Sequence, residues 1–123
     1  MTNDKPVPPK NIQERTFEFG TRVIRLVDRL PRTIAGVQLG RQLVASGTST
    51  GANMQEADGA ESKPDFIHKT GVALKEAKES HYWLRQIDAA LLQNDAEVKA
   101  LIQEVFELCR IIAAIKRNAG RSK

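Results

Sequence analysis

The groups in this chain best suited to acid–base, nucleophilic or metal chemistry are two histidines, one cysteine and fifteen carboxylates. A di-iron carboxylate centre in a helical bundle requires two Glu-x-x-His pairs and two further inward-facing glutamates. Asp65-x-x-His68 has the spacing of one such pair, but three residues before His81 stands Lys78, a cation that repels metal. The sequence therefore predicts no metal site and no cofactor. Glu76 and Glu79 stand one helical turn apart, the spacing of an acid and a base, yet Lys75 and Lys78 beside them make solvated charge patterning the easier explanation. Cys109 falls in an apolar helical pattern, as a packed thiol does. No Ser, Cys and His set carries the local sequence of a nucleophilic enzyme. No catalytic residue is assigned, and the chain is read as not an enzyme.

Other constellations suit binding better. Asn53 and Glu56, at i and i+3 beside a run of small residues, must find partners if they are buried. Arg41, Lys75, Lys78 and Arg85 are the available donors, and the pair either fastens one helix to the next or holds a ligand. With Glu76 and Glu79 these two residues form a polar motif read as structural. Trp83 of Tyr82-Trp83-Leu84 is read as packing between helices; exposed beside Arg85, it would instead stack on a nucleobase. The cations show two concentrations. Arg15, Arg22, Arg25 and Arg29 fall near one side of a helix, and the C-terminal stretch carries Lys116, Arg117, Arg121 and Lys123 without an acid. These are the candidate contacts to an RNA or DNA backbone, with a merely solvated face as the alternative. The formal charge of +4 and pI near 9.5 favour polyanions only weakly in a single copy.

These residues must be positioned by helices. The central stretch runs from Gln42 to Ala57 and includes Ser46-Gly47-Thr48-Ser49-Thr50-Gly51, which local propensity would make a loop. Against that, Leu39, Leu43, Gly47, Thr50 or Gly51 and Met54 recur at helical steps, and Gly47-xxx-Gly51 with Ala45, Ser49 and Ala52 makes a side nearly free of bulk. The expectation is one helix from Val37 to Ala57, approached closely by a partner backbone, its hydroxyls bonding carbonyls one turn back. A nucleotide-cradling loop is excluded because no lysine follows Gly51.

Before that helix, Ile12, Phe19, Val23, Leu26 or Val27 and Leu30 form a stripe ended by Pro31, with Gly20 a second point of close packing. After it, Ser62 caps a third helix of about 28 residues, with Pro64 and Asp65 in its first turn. Asn94 or Asp95 caps a fourth, where Val98, Leu101, Val105, Leu108, Ile112 and Ile115 repeat. The fold class is all-α, an antiparallel up-and-down four-helix bundle over residues 12–117, with a disordered or extended leader at 1–11 and a basic tail at 118–123. The broad apolar face of the fourth helix predicts self-association. No apolar run is long enough to span a membrane and no secretory signal opens the chain, so the expected compartment is the cytoplasm, which a lone cysteine suits.

From Phe17 to Ala114 the residues resemble the four-helix bundle proteins related to those encoded in intervening sequences of bacterial 23S rRNA genes. The motif reads Gln42-Leu43-x-x-Ser46-x-x-Ser49-x-x-Ala52-Asn53-x-x-Glu56, followed by Phe66, Ala73-Leu74-x-Glu76-Ala77 and Glu79-x-x-Tyr82-Trp83-Leu84. Ala45 stands where such proteins commonly have arginine, and Ala57 where they commonly have glycine. The resemblance implies a bundle assembled into a ring-like homopentamer without established enzymatic activity. A similar fold serves as the accessory protein of diversity-generating retroelements, where a basic pentamer partners a reverse transcriptase and nucleic acid. Five copies of a +4 chain would carry +20, enough for weak sites to act together on phosphates. The competing expectation is a scaffold that holds a protein partner without touching nucleic acid.

Overall fold

The computed structural model describes residues 11–90, 92–93 and 96–121. Four helices follow in order: α1 (Ile12–Asp28), α2 (Ile34–Asp58), α3 (Lys63–Ala89) and α4 (Ala96–Arg121). Each packs on the next and α4 closes on α1, which makes the antiparallel up-and-down bundle. Three starts are set by side-chain caps that accept a backbone N–H left without a partner in the first turn. Asn11 Oδ1 accepts from Glu14 N at 2.8 Å, Thr33 Oγ1 from Gly36 N at 3.0 Å and Ser62 Oγ from Asp65 N at 3.2 Å. The Ser62 cap is where the sequence placed it. Helix α2 instead begins at Ile34 rather than Val37, because Thr33 caps it and the first turn needs no apolar anchor: Ile34 is 93% exposed. The expected cap at Asn94 or Asp95 lies outside the described residues, as does the leader before Asn11.

The glycine-threonine segment is helical throughout and lies against α1. A methyl added at Gly51 would stand 3.1 Å from the Thr16 carbonyl oxygen, and one at Gly47 would stand 2.9 Å from a Val23 γ-carbon. At Gly20 the nearest atom would be the Gly47 carbonyl oxygen, at 3.5 Å. The two backbones therefore meet where side chains have been left out. The hydroxyls do what a helix interior asks of them: Thr48 donates to the Val44 carbonyl at 2.7 Å and Thr50 to the Ser46 carbonyl at 2.9 Å. Ser46 and Ser80 are both buried, and Ser80 Oγ donates to Ser46 Oγ at 2.8 Å, a polar tie between α2 and α3.

Around this seam the core is continuous. Phe19, Val23, Leu26, Leu43, Leu84, Ile87, Val98, Leu101, Val105 and Leu108 fill most of the bundle, and Met54, Ala73 and Ile112 close one end, with Ile12 touching both groups. Cys109 is half-buried against this core, and burial pushes its thiol upward, away from a reactive thiolate. Among the described residues no helix is long and apolar enough to cross a membrane.

Candidate nucleic-acid interface

The antiparallel order decides which cations can act together. Arg22 lies level with Glu97 near the start of α4, and Lys116 lies beside Gly71 near the start of α3. Arg25 and Arg29 therefore project at the end of the bundle where α4 begins, and Lys116, Arg117 and Arg121 at the opposite end. From Glu97 to Arg117 along α4 is about 30 Å at 1.5 Å per residue. The two concentrations of charge are not one patch on a single protomer. Lys123 lies outside the described residues.

Arg15 and Arg22 of the helix-one stripe are ion-paired with α4. Arg15 grips Glu104 with two bonds, Nη2 to Oε1 at 2.6 Å and Nε to Oε2 at 3.2 Å, and reaches Glu107 at 3.5 Å. Arg22 grips Glu97 in the same way, at 2.8 and 3.1 Å. Both guanidinium groups hold their protons more firmly than usual, chiefly through these bonds to Glu104 and Glu97. The pairs are part-buried and tie α1 to α4. The sequence held a signal for them: Arg15 and Arg22 are seven residues apart, and so are Glu97 and Glu104, which is two turns on each of two antiparallel helices. Arg25 and Arg29 are exposed.

The other basic end is uninterrupted. After Glu107, α4 carries Arg110, Lys116, Arg117 and Arg121 and no acid, all four cations exposed, and the helix continues through Arg121. Beside it runs a shallow groove of about 700 Å³ along α3, lined by Lys75, Lys78, Tyr82 and Trp83 with Lys116 of α4. Trp83 packs half-buried on the core, and its indole N–H is a buried donor without a protein partner among the described residues.

The polar motif divides. Glu56 does join α2 to α3, but through Lys69 at 3.0 Å rather than through any of the four donors expected from the sequence. Asn53 turns back on its own helix and donates Nδ2 to the Ser49 carbonyl at 2.8 Å. Glu76 is half-buried, and its carboxyl is pushed up first by burial and then by Glu79, with Lys75 opposing. A carboxyl raised in the folded state binds more protons there than in the unfolded chain, so its contribution to stability falls as pH rises through the carboxylate range. Glu76→Gln is accordingly expected to shift the urea midpoint upward at neutral pH and to lose that advantage in mild acid; equal shifts at both pH values would contradict it. Among the described residues no group of three or more His, Cys, Asp or Glu side chains could hold a metal ion.

On one side of the bundle, between α1 and α2, lies an apolar groove of about 510 Å³ lined by Phe17, Gly20, Thr21, Ile24, Thr48 and Ala52. Phe17 is 74% exposed there, an unusual position for a phenylalanine in a monomer.

No curated protein matches the chain. A crystal structure of a protein of unknown function from the S23 ribosomal protein family of Bacteroides thetaiotaomicron VPI-5482 is similar, with a TM-score of 0.77 and 28% identity over 86% of this chain and 98% of that one. The family model described as 23S rRNA-intervening sequence protein matches residues 10–114. With the motif residues, the four-helix order and that match in agreement, the chain belongs to the family of 23S rRNA-intervening sequence proteins.

Proposed function

We propose that this chain is the non-enzymatic subunit of a cytoplasmic homo-oligomer that binds the backbone of RNA or DNA without reading bases. The observation that carries the proposal is the cationic end of α4, where Arg110, Lys116, Arg117 and Arg121 are exposed with no acid between them in the sequence and where Lys116 shares a groove with Lys75 and Lys78 of α3. Phosphate binding by dispersed cations is weak per contact and strengthens when copies are joined. The apolar groove bearing Phe17 and Ile24 supports such assembly, because burying it against another copy removes exposed apolar surface from water. A homopentamer is the assembly that the sequence resemblance favours. Arg25 and Arg29 add to the phosphate contacts only where assembly brings them beside a neighbour's basic end.

Salt-titrated binding of single-stranded RNA tests the proposal. Affinity is expected to fall as salt rises, and a flat response would reject it. Arg117→Gln and Arg121→Gln should each reduce the steepness by about 0.7 in log–log slope, the value for one phosphate contact on a single strand. Arg15→Gln and Arg22→Gln should leave the slope unchanged, since those groups already hold Glu104 and Glu97. A protein-interaction scaffold would instead show indifference to all four substitutions in RNA binding.

A further inference from the structure

We infer that the groove along α3 is a stacking site for a single-stranded nucleic acid, with a base on the Tyr82 ring and the flanking phosphates on Lys75, Lys78 and Lys116. The inference rests on the phosphate-binding reading above and adds to it a ligand class and a place.

A stacking platform needs a ring that is exposed on a face yet held in one orientation. Tyr82 meets both conditions. It is 51% exposed, its hydroxyl accepts a hydrogen bond from Gln86 Nε2 at 2.9 Å, and its ring stands edge-on to Trp83 with centroids 5.1 Å apart at 78°. Trp83 is itself seated on the core, so the platform is braced from below. A base laid on Tyr82 replaces water on an apolar face without ordering a new side chain.

The charge around the ring fits a polyanion. The groove's ionised groups are Lys75, Lys78 and Lys116 against Glu79. Lys116 reaches the groove because position 71 has no side chain: its Nζ lies 3.3 Å from where a β-carbon at Gly71 would stand. From Gly71 to Tyr82 is about 16 Å along the helix, room for a short run of nucleotides. A duplex cannot offer a base face to Tyr82 without unstacking, whereas a single strand can. An acidic peptide would satisfy the lysines but leave the ring unused.

The chain has one tryptophan and one tyrosine, and both line this groove. Trp83 fluorescence therefore reports on this site, while fluorescence anisotropy of a labelled strand reports binding anywhere. The probes are an oligothymidylate of about ten nucleotides, a duplex of the same length and a polyglutamate peptide. The single strand is expected to quench Trp83, and Tyr82→Leu to weaken its binding by about tenfold, the loss from removing one base–aromatic stack. Tyr82→Phe should restore the affinity, Lys78→Gln should lower the salt slope by about 0.7, and the duplex should respond little to Tyr82→Leu. Binding that proceeds without a change in Trp83, unchanged affinity in Tyr82→Leu, or equal quenching by polyglutamate overturns the stacking site while leaving backbone binding intact. Failure of both nucleic acids to bind at low salt overturns the backbone reading itself.

Discussion

Truncating Phe19 to alanine is expected to destabilise the folded chain by about 3–5 kcal/mol, whereas truncating Phe17, two residues away, should change the stability of the protomer by less than about 0.5 kcal/mol. The rings differ only in helical phase. Phe19 is 1% exposed and packed among residues of the core, so its removal leaves a cavity that the surrounding helices can only partly close. Phe17 points the other way and is 74% exposed. For a domain held by some 5–15 kcal/mol in total, the first loss is a large share of the whole. Urea unfolding followed by circular dichroism measures it. Light scattering measures the counterpart: on the proposed assembly, Phe17→Ala should keep its helical signal and shift toward the 13.7 kDa protomer. If Phe17→Ala assembles as the parent does, the α1–α2 face is not where copies meet.

Gly36→Ala is the second large effect, expected to cost about 2–3 kcal/mol. By helix propensity alone the change should stabilise by about 1 kcal/mol. Packing reverses the sign, because the added methyl would fall inside the Pro31 carbonyl oxygen and press on Thr33 Oγ1 at 3.2 Å, the atom that caps α2. The connection between α1 and α2 has to move, and the cap goes with it. Gly120→Ala is the control, since among the described residues an added β-carbon there would meet nothing within 4 Å beyond its own helix; it should be neutral or stabilising by up to about 0.5 kcal/mol. Urea midpoints for the two variants that move in the same direction would show that propensity, not close approach, governs the glycines.

Much of this architecture was legible in the sequence. The stripes of α1 and α4 match the buried residues, with Ile12 and Ile115 half-buried at their ends, because an apolar side chain repeating at helical steps has few other uses. The glycine-threonine stretch was readable as helix only by weighing period above propensity, and the contacts of Gly47 and Gly51 with α1 explain why period wins there. The start of α2 was not legible, since Ile34 is apolar but faces water and carries no phase information. Nor was the fate of the arginines. Periodicity puts Arg15, Arg22, Arg25 and Arg29 near one side of α1, but only the partner helix decides that two of them meet glutamates. Lys69 escaped notice as the partner of Glu56 for the same reason: the register between α2 and α3 is set by packing around Ser46 and Ser80, which no local pattern records.

The seam between α1 and α2 also constrains how this chain can change over generations. Position 47 has room for hydrogen alone because Val23 occupies the space a methyl would need, so the two sites form a single inherited choice rather than two independent ones. A lineage that enlarges one must already have trimmed the other. Drift along this line of contact is therefore expected to come in matched pairs.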